Sequence, residues 1–246
     1  MESSRLPGKV MLPVLNKPLL LLMIERLGSV KEISDIIIAT TLNSSDDVIE
    51  EFALKNKISY FRGSENDVLG RVLDAAKKYK TDIIVEITGD NPLADPPLIT
   101  ELIKEFNNNL NKIDIISTDM GYYNHNEEIT FPIGLGGKIF KTNLLDSVSK
   151  LTKDPIDREH VVNYILKNSK KYNCINYIAK DKYKRPEIRL TVDYEEDFKL
   201  IKNIYEKIYK VNKNFNFIEL INYLDDNPEV KNINSECKQK QYNYTK

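Results

Sequence analysis

The sequence predicts an α/β fold with a doubly wound, mostly parallel sheet, and two observations support this. Short β-branched runs alternate with helix-length segments along the first half of the chain, as in strands buried on both faces and joined by crossover helices. The 246 residues are 41% hydrophobic and 30% charged, which suits one large domain with a packed core. We assign residues 1–231 to this domain and expect the polar, aperiodic residues 232–246 to form a frayed tail.

The first half of the chain shows the alternation most clearly. Residues 45–55 begin with an N-cap candidate and early acids and end near a lysine, which is typical of a helix. Residues 95–106 carry two prolines where the first helical turn tolerates them. The predicted helices are residues 17–27, 45–55, 67–79 and 95–106, and the predicted strands are 35–40, 58–61, 82–87 and 114–117.

The alternation changes after Asp119. Residues 121–140 mix aromatic, polar and glycine residues without a helical period, which predicts a loop and antiparallel strands. We interpret residues 119–180 as a small inserted antiparallel subdomain near the functional site. The later elements are expected as helices at residues 157–168, 195–209 and 217–224, and as strands at 174–178 and 188–192.

Charge and composition exclude several classes of function. The chain has 36 basic and 37 acidic residues, so it lacks the electrostatic signature of a protein that binds nucleic acid or an anionic membrane. The longest apolar run, residues 19–24, is too short to cross a bilayer. The two cysteines, Cys174 and Cys237, are far apart in sequence and are predicted to be free thiols, as in proteins of a reducing compartment. We therefore expect a cytoplasmic protein, and no signal peptide is visible.

The segment at residues 3–9 holds the strongest chemical signal. Arg5 and Lys9 bracket a Pro7-Gly8 turn, which can direct backbone N–H groups and both cations at one phosphate. Ser4 adds a hydroxyl beside them, and Lys17 adds another cation before a proline. The alternative interpretation is a solvated basic turn.

Two aspartates follow predicted strands at the edge where α/β sheets bind ligands. Gly89 and Asp90 come directly after one apolar run, and Asp193 ends another. Carboxylates are hard oxygen ligands that suit Mg²⁺, and two of them from separate strands could share one ion through phosphate oxygens. The alternatives are helix-capping roles, although Asp95 is better placed than Asp90 to cap the next helix, and Asp197 fits a first helical turn.

Two weaker segments complete the candidates. The turn at residues 61–71 is either a contact for the nucleobase or a plain strand-to-helix connection. Arg158 is a cation that an anionic substrate would need, whereas His160 is equally well explained as an acid/base group or as a helix-face histidine bonded to a neighbour.

These segments, in this order, resemble the sugar-activating cytidylyltransferases, in particular the spore-coat polysaccharide branch related to the acylneuraminate and 3-deoxy-manno-octulosonate enzymes. The resemblance extends from residue 3 to about residue 224. It rests on Ser-x-Arg-Leu-Pro-Gly-Lys at 3–9, Arg-Gly-Ser-(three residues)-Val-Leu-x-Arg at 62–71, Ile-Thr-Gly-Asp-x-Pro-Leu-x-Asp-Pro at 87–96, Arg-Glu-His-Val at 158–161 and Leu-Thr-Val-Asp-(three residues)-Asp at 190–197.

The resemblance implies a Rossmann-like nucleotidyltransferase that transfers CMP from CTP to a small anionic acceptor and releases pyrophosphate, for surface glycan synthesis. The acceptor would be a sugar acid, a phosphate or a phosphonate, and residues 119–180 would bind it and could form a homodimer interface. The implied roles are catalysis for Arg5, Lys9 and Lys17, nucleotide binding for Ser4, Arg62, Gly63, Ser64, Arg71 and Gly89, acceptor binding for Arg158 and His160, and Mg²⁺ binding for Asp90 and Asp193.

The chain departs from the family pattern at two places. Met1 stands where the family has a buried strand, so we expect the first strand to be missing, backbone groups to lack partners and activity to be weak. Lys138 stands near an expected glutamate, which predicts an acceptor pocket suited to a more anionic molecule.

Two other functions remain open. A catalytically impaired homologue that binds nucleotide or assists assembly would accommodate a missing strand. A nucleotide-sugar glycosyltransferase would need an Asp-x-Asp pair, which the Asp90-Asn91-Pro92 segment does not offer.

Overall fold

The computed structural model describes residues 1, 3–123, 127–180 and 183–239. Strands and helices alternate as the sequence predicts. The strands are β1 (Pro13–Val14), β2 (Lys17–Pro18), β3 (Ile37–Thr41), β4 (Ser59–Gly63), β5 (Ile83–Glu86), β6 (Ile115–Ser117), β7 (Lys138–Lys141) and β8 (Cys174–Asn176). The helices are α1 (Leu19–Leu27), α2 (Asp47–Asn56), α3 (Val68–Lys78), α4 (Pro96–Asn108), α5 (Thr142–Leu151), α6 (Pro155–Glu159), α7 (Asn163–Lys167), α8 (Glu195–Ile204), α9 (Phe217–Asp226) and α10 (Pro228–Lys231).

The strands form two sheets and a short hairpin. Strands β3 and β4 pair in parallel, and the larger sheet has the order β5-β7-β6-β8. Strands β5, β6 and β8 of this sheet run in one direction, and only β7 is reversed. Among the described residues no backbone ladder joins the two sheets, and the absence of a family first strand stays a prediction.

Residues 119–180 contribute to the main sheet instead of forming a sheet of their own. Strand β7 is antiparallel, as expected of this region, but it inserts between β5 and β6. Strand β8 adds to the same sheet beside β6. The strands of this region thus complete the central sheet, and its assignment as an inserted acceptor and dimerisation region stays a prediction.

The strand expected at residues 188–192 is a single isolated bridge between Ile133 and Arg189. Its β-branched composition reflects burial, since Ile188, Leu190 and Val192 are all packed in the core. The sequence pattern thus identified a buried segment but assigned it the wrong backbone structure.

Helices cover both faces of the main sheet, which confirms the doubly wound architecture. Ile139 of β7 packs in a cluster with residues of α1, α4, α8 and α9, whereas its neighbour Phe140 packs with residues of α3, α5 and α7. Ile116 and Ile115 of β6 divide between the same two clusters. Side chains alternate along a strand, so each core lies on one face.

None of the described helices combines the length and the apolar composition needed to cross a membrane.

Candidate active site

Two aspartates that are distant in sequence meet at the carboxyl end of β5. Asp90 lies in the loop that follows β5, and Asp193 lies just before α8. The two loops are joined by a backbone hydrogen bond, in which the Val192 N–H donates to the Asp90 carbonyl oxygen at 2.8 Å. This bond explains why the carboxylates converge across more than a hundred residues.

The side chain of Lys9 lies between the two carboxylates. Its Nζ atom donates to Asp90 Oδ2 at 2.9 Å and to Asp193 Oδ1 at 2.8 Å. Arg5 Nη2 reaches the same Asp193 oxygen at 2.8 Å, and its guanidinium carbon lies 5.1 Å from the centre of the Tyr194 ring. The two cations expected to bind phosphate thus face the two aspartates expected to bind metal.

A sharp bend allows Arg5 and Lys9 to reach one place. Gly8 has a φ of 68°, in the left-handed region that glycine adopts without steric cost. The Met11 N–H then donates to the Gly8 carbonyl at 2.8 Å, which closes a short 3₁₀ turn over Lys9–Met11. The Pro7-Gly8 pair therefore has the turn-forming role that the sequence predicts.

A buried network behind Asp193 supports the site. Arg189 Nη2 donates to Asp193 Oδ2 at 2.8 Å, and its Nε atom donates to Asp197 Oδ1 at 3.0 Å. Asp197 is fully buried and accepts the N–H groups of Asp193 and Tyr194 at 2.9 and 3.0 Å. Asp197 consequently fixes the backbone at Asp193, a larger role than the helix-dipole complement that remained open from sequence.

Arg189 is a site residue that sequence reasoning missed. The available signal was its position as a lone cation inside the apolar run from residue 188 to 192. A charge in such a run requires a buried counter-charge, because an isolated buried cation is strongly unfavourable.

The electrostatics of the network keep its groups charged. Burial would raise the pKa of Asp193, but the hydrogen bond and charge of Lys9, with the charges of Arg5 and Arg189, lower this pKa overall. Burial would lower the pKa of Arg189, and the hydrogen bond and charge of Asp197 raise it overall. Asp193 is therefore an anion that cations surround on three sides.

An open cavity of about 660 Å³ lies over these groups. Five residues singled out from sequence line it: Ser4, Arg5, Lys9, Asp90 and Asp193. Glu159, Tyr194, Lys238 and Gln239 also line it and were not expected there. The cavity volume falls in the range of small-molecule sites.

The donor set fits the Mg²⁺ ion that the resemblance implies. The Lys9 ammonium already acts as a stand-in cation between the Asp90 and Asp193 carboxylates. The described residues contain no cluster of three or more histidine, cysteine, aspartate or glutamate side chains arranged for a metal. Two carboxylates suffice for Mg²⁺, which usually completes its shell with water and substrate phosphates.

The turn at residues 61–71 lies outside the described cavity lining. Arg62 donates to the carbonyls of Thr41 and Asn43 at 2.8 and 2.7 Å, and to Glu50 at 2.6 Å. It also forms an ion pair with Asp47 at 2.7 Å. Arg62 thereby ties β4 to β3 and α2.

The remaining residues of that turn contact one another. Arg71 donates to the Ser64 carbonyl oxygen, and a Cβ atom at Gly63 would lie 2.9 Å from Arg71 Cγ. Gly89 instead lies beside Val10, the residue that directly follows the 3–9 segment, since a Cβ atom there would meet Val10 Cγ1 at 3.4 Å. Lys17 forms an ion pair with Glu25 of α1 at 2.6 Å and is not among the described lining residues.

Arg158 and His160 flank Glu159, which lines the cavity. Arg158 forms an ion pair with Asp67 and donates to the Ser149 carbonyl at 3.1 Å. His160 packs edge-on against Tyr123, with 6.4 Å between ring centres.

Lys138 is buried and internally paired. Its Nζ atom lies 3.2 Å from Asp119 Oδ2 and 5.4 Å from the centre of the Tyr123 ring. Glu86 is its cross-strand neighbour, and burial raises the pKa of this glutamate. The cation that the sequence places in the acceptor pocket is therefore paired with Asp119 of the protein itself.

Comparison with known proteins identifies the family. The model of the cytidylyltransferase family matches residues 1–223. An uncharacterized protein of Methanocaldococcus jannaschii is 36% identical over 240 residues, which are 98% of this chain and 93% of the relative. The spore coat polysaccharide biosynthesis protein SpsF of Bacillus subtilis is 30% identical over 239 residues, covering 94% of this chain and 92% of the relative.

A solved structure agrees with these matches. A cytidylyltransferase from Leptospira borgpetersenii superposes with a TM-score of 0.86 at 34% identity, covering 98% of this chain and 95% of that one. The family match, the relatives and the shared fold therefore agree along nearly the whole chain, which belongs to the cytidylyltransferase family.

Proposed function

We propose that this protein transfers CMP from CTP to an anionic sugar acid and releases pyrophosphate, as a step in surface glycan synthesis. The observation that carries the proposal is the contact of Lys9 with both Asp90 and Asp193 at 2.9 and 2.8 Å, on the wall of an open cavity. The relative named for spore coat polysaccharide synthesis supports the glycan role. The proposed place of action is the cytoplasm.

The residues of the chain would act mainly by positioning and by neutralising charge. Arg5 offers a planar fork for phosphate oxygens, and Lys9 offers a compact ammonium. Asp90 and Asp193 would hold Mg²⁺, which supplies Lewis-acid neutralisation of phosphate charge when bound. By positioning the triphosphate, these side chains would hold the α-phosphorus of CTP in line with the attacking acceptor oxygen. No covalent enzyme intermediate is then needed.

Binding of CTP requires the present ion pairs to rearrange. Arg5 and Lys9 are occupied by Asp193 and Asp90, and a triphosphate would compete for the same cations. Arg189 and Asp197 are buried behind Asp193 and would hold this carboxylate in place while its cationic partners exchange.

We place the acceptor beside Glu159, with Arg158, His160 and Lys138 as its contacts. The support is the likeness of residues 158–161 to the sugar-acid branch of the family and the position of Glu159 on the cavity wall. Lys138 would contribute a cation only if its ion pair with Asp119 opened.

The decisive experiment measures pyrophosphate release with CTP, Mg²⁺ and a panel of sugar acids, phosphates and phosphonates. We expect turnover with CTP and a sugar acid, and little with UTP, ATP or GTP. Turnover with another nucleotide in preference to CTP would contradict the proposal. Binding of CTP without turnover on any acceptor would favour the catalytically impaired homologue instead.

We also propose that the chain forms a homodimer through the edge strand β8. Strand β8 lies at one end of the larger sheet; Ile175 within it is 39% exposed, and Ile178, two residues beyond its end, is 45% exposed. Exposed apolar residues on a sheet edge favour pairing with another chain. Sedimentation of the wild type and of Ile175→Asp should show a dimer and a monomer, and a monomeric wild type would refute this.

A further inference from the structure

We propose that the C-terminal segment of residues 232–239 is part of the active site, and that Lys238 binds an anionic oxygen group of a substrate there. This inference rests on the proposed function, because it assigns a residue to the same cavity. Lys238 and Gln239 line that cavity together with Arg5 and Lys9. The sequence predicts a frayed tail here, so this contact with the site is a finding of the structure.

The segment is anchored to the body of the protein just before it reaches the cavity. Val230 is 7% exposed, and Ile233 packs against the larger core cluster. Asn234 is 5% exposed, and its Nδ2 atom donates to Asp197 Oδ1 at 2.8 Å and to the Arg189 carbonyl at 3.0 Å. A buried amide with two partners fixes the chain at this position.

A second set of contacts holds the end of the segment beside Asp193. Arg189 Nη1 donates to Gln239 Oε1 at 2.6 Å, while the same guanidinium binds Asp193. The Tyr194 hydroxyl donates to the Lys238 carbonyl at 3.5 Å. The Arg5 guanidinium lies over the Tyr194 ring. Tyr194 therefore contacts both the C-terminal segment and the turn at residues 3–9.

The charges of the cavity distinguish Lys238 from the other two cations. Arg5 and Lys9 are both paired with carboxylates of the site. Lys238 is exposed and has no carboxylate partner among the described residues. It can therefore bind an incoming anion without first breaking an internal ion pair, and that anion is either a phosphate group of the nucleotide or the carboxylate of the acceptor.

The segment also lies beyond the part of the chain that the family model matches, which ends at residue 223. The proposed contact therefore lies outside the residues that define the family match. It would add a cation to a site whose other charged residues belong to the matched region.

The test compares Lys238→Ala with Lys238→Arg and with a matched control, Lys202→Ala. Lys202 is an exposed lysine of α8 that is not among the described lining residues, so its loss changes the net charge equally. Calorimetric titration of the full-length protein would use CTP with Mg²⁺, and separately 3-deoxy-manno-octulosonate in the presence of a non-hydrolysable CTP analogue. Melting temperatures of all variants would verify folding.

Loss of Lys238 should weaken binding of one ligand about 10-fold, the size expected for a hydrogen bond to a charged group. Weaker CTP binding assigns the contact to phosphate, and weaker binding of the sugar acid alone assigns it to the acceptor. Lys238→Arg should retain most of the affinity, because it keeps the cation.

Unchanged affinity for both ligands in Lys238→Ala, or an equal loss in Lys202→Ala, would overturn the inference. The proposed function would still stand in that case, since the wild type binds CTP. A wild-type protein that does not bind CTP would instead refute the proposed function itself, and the inference with it.

Discussion

Two short turns of this protein each carry two cations, and the structure uses them differently. The turn at residues 3–9 directs Lys9 to carboxylates that are 81 and 184 positions away in sequence, on the wall of an open cavity. In the turn at residues 61–71, Arg62 and Arg71 bind groups between 6 and 21 positions away. Cations paired across the fold at a cavity are accessible to a ligand, whereas cations paired with near neighbours stabilise their own turn.

The largest effect on activity is expected at Asp193, a carboxylate that the turn at residues 3–9 contacts through Lys9. Asp193→Asn should lower CTP-dependent pyrophosphate release by about 10²–10³-fold or more, because it removes a charge that organises the phosphate site. Steady-state kinetics would measure this, with Asp74→Asn on α3 as a matched control. Activity of the Asp193 variant near that of the control would contradict the assignment.

A smaller loss is expected at Lys9, together with a gain in metal binding. Lys9→Ala should lower kcat/KM about 10²-fold through the loss of a phosphate contact. It should also tighten Mn²⁺ binding in the absence of nucleotide, because the Asp90 and Asp193 carboxylates lose the ammonium that bridges them. Mn²⁺ titration followed by electron paramagnetic resonance would show this, and an unchanged Mn²⁺ affinity would rule out Lys9 as a stand-in cation.

Arg62 should behave in the opposite way. Arg62→Ala should change kcat/KM for CTP by less than about 3-fold, as expected of a residue outside the chemistry. It should lower the melting temperature, since two carbonyls and two carboxylates lose their donor. Thermal unfolding and kinetics on one preparation would check both. A loss of CTP affinity without a loss of stability would instead support the nucleotide-binding role expected from sequence.

The smallest effect concerns Asp67, which caps α3 through the Gly70 N–H at 2.8 Å and pairs with Arg158. Asp67→Ala should lower the free energy of unfolding by about 1 kcal/mol at pH 7 through the lost cap. Burial would raise the pKa of Asp67, but Arg158 and the Gly70 N–H lower it overall.

The sign of the pH dependence follows from that lowered pKa. The stabilisation by Asp67 is fully present above the ordinary pKa of aspartate and is lost as the pH falls through the folded value. The difference between wild type and Asp67→Ala should therefore shrink below about pH 4. Denaturant unfolding across this range would measure it, and a difference that grew on acidification would contradict the ion pair.

The sequence predicted the parts of the fold and site that depend on local patterns. Asp90 follows β5 as predicted, and Asp193 lies beside it and lines the same cavity, although residues 188–192 form an isolated bridge and not the expected strand. The sequence did not predict that the antiparallel strand β7 lies within the main sheet. Its partners β5 and β6 are separated from it in sequence, and the loop before it has no helical period.

The remaining differences arise from contacts that no local pattern records. The ion pairs of Arg62 with Asp47 and Glu50 could not be foreseen, because these are ordinary helix acids in the sequence, and its nucleotide-binding role stays a prediction. Asn234 lies in a polar tail, where nothing indicates that its amide is buried against Asp197.

The most direct test of the account is calorimetric titration of CTP with Mg²⁺ into the wild type and into Asp193→Asn. The account predicts saturable binding of one CTP per chain by the wild type and at least about 10-fold weaker binding by the variant. No binding by the wild type, or equal affinity in the two proteins, would contradict it.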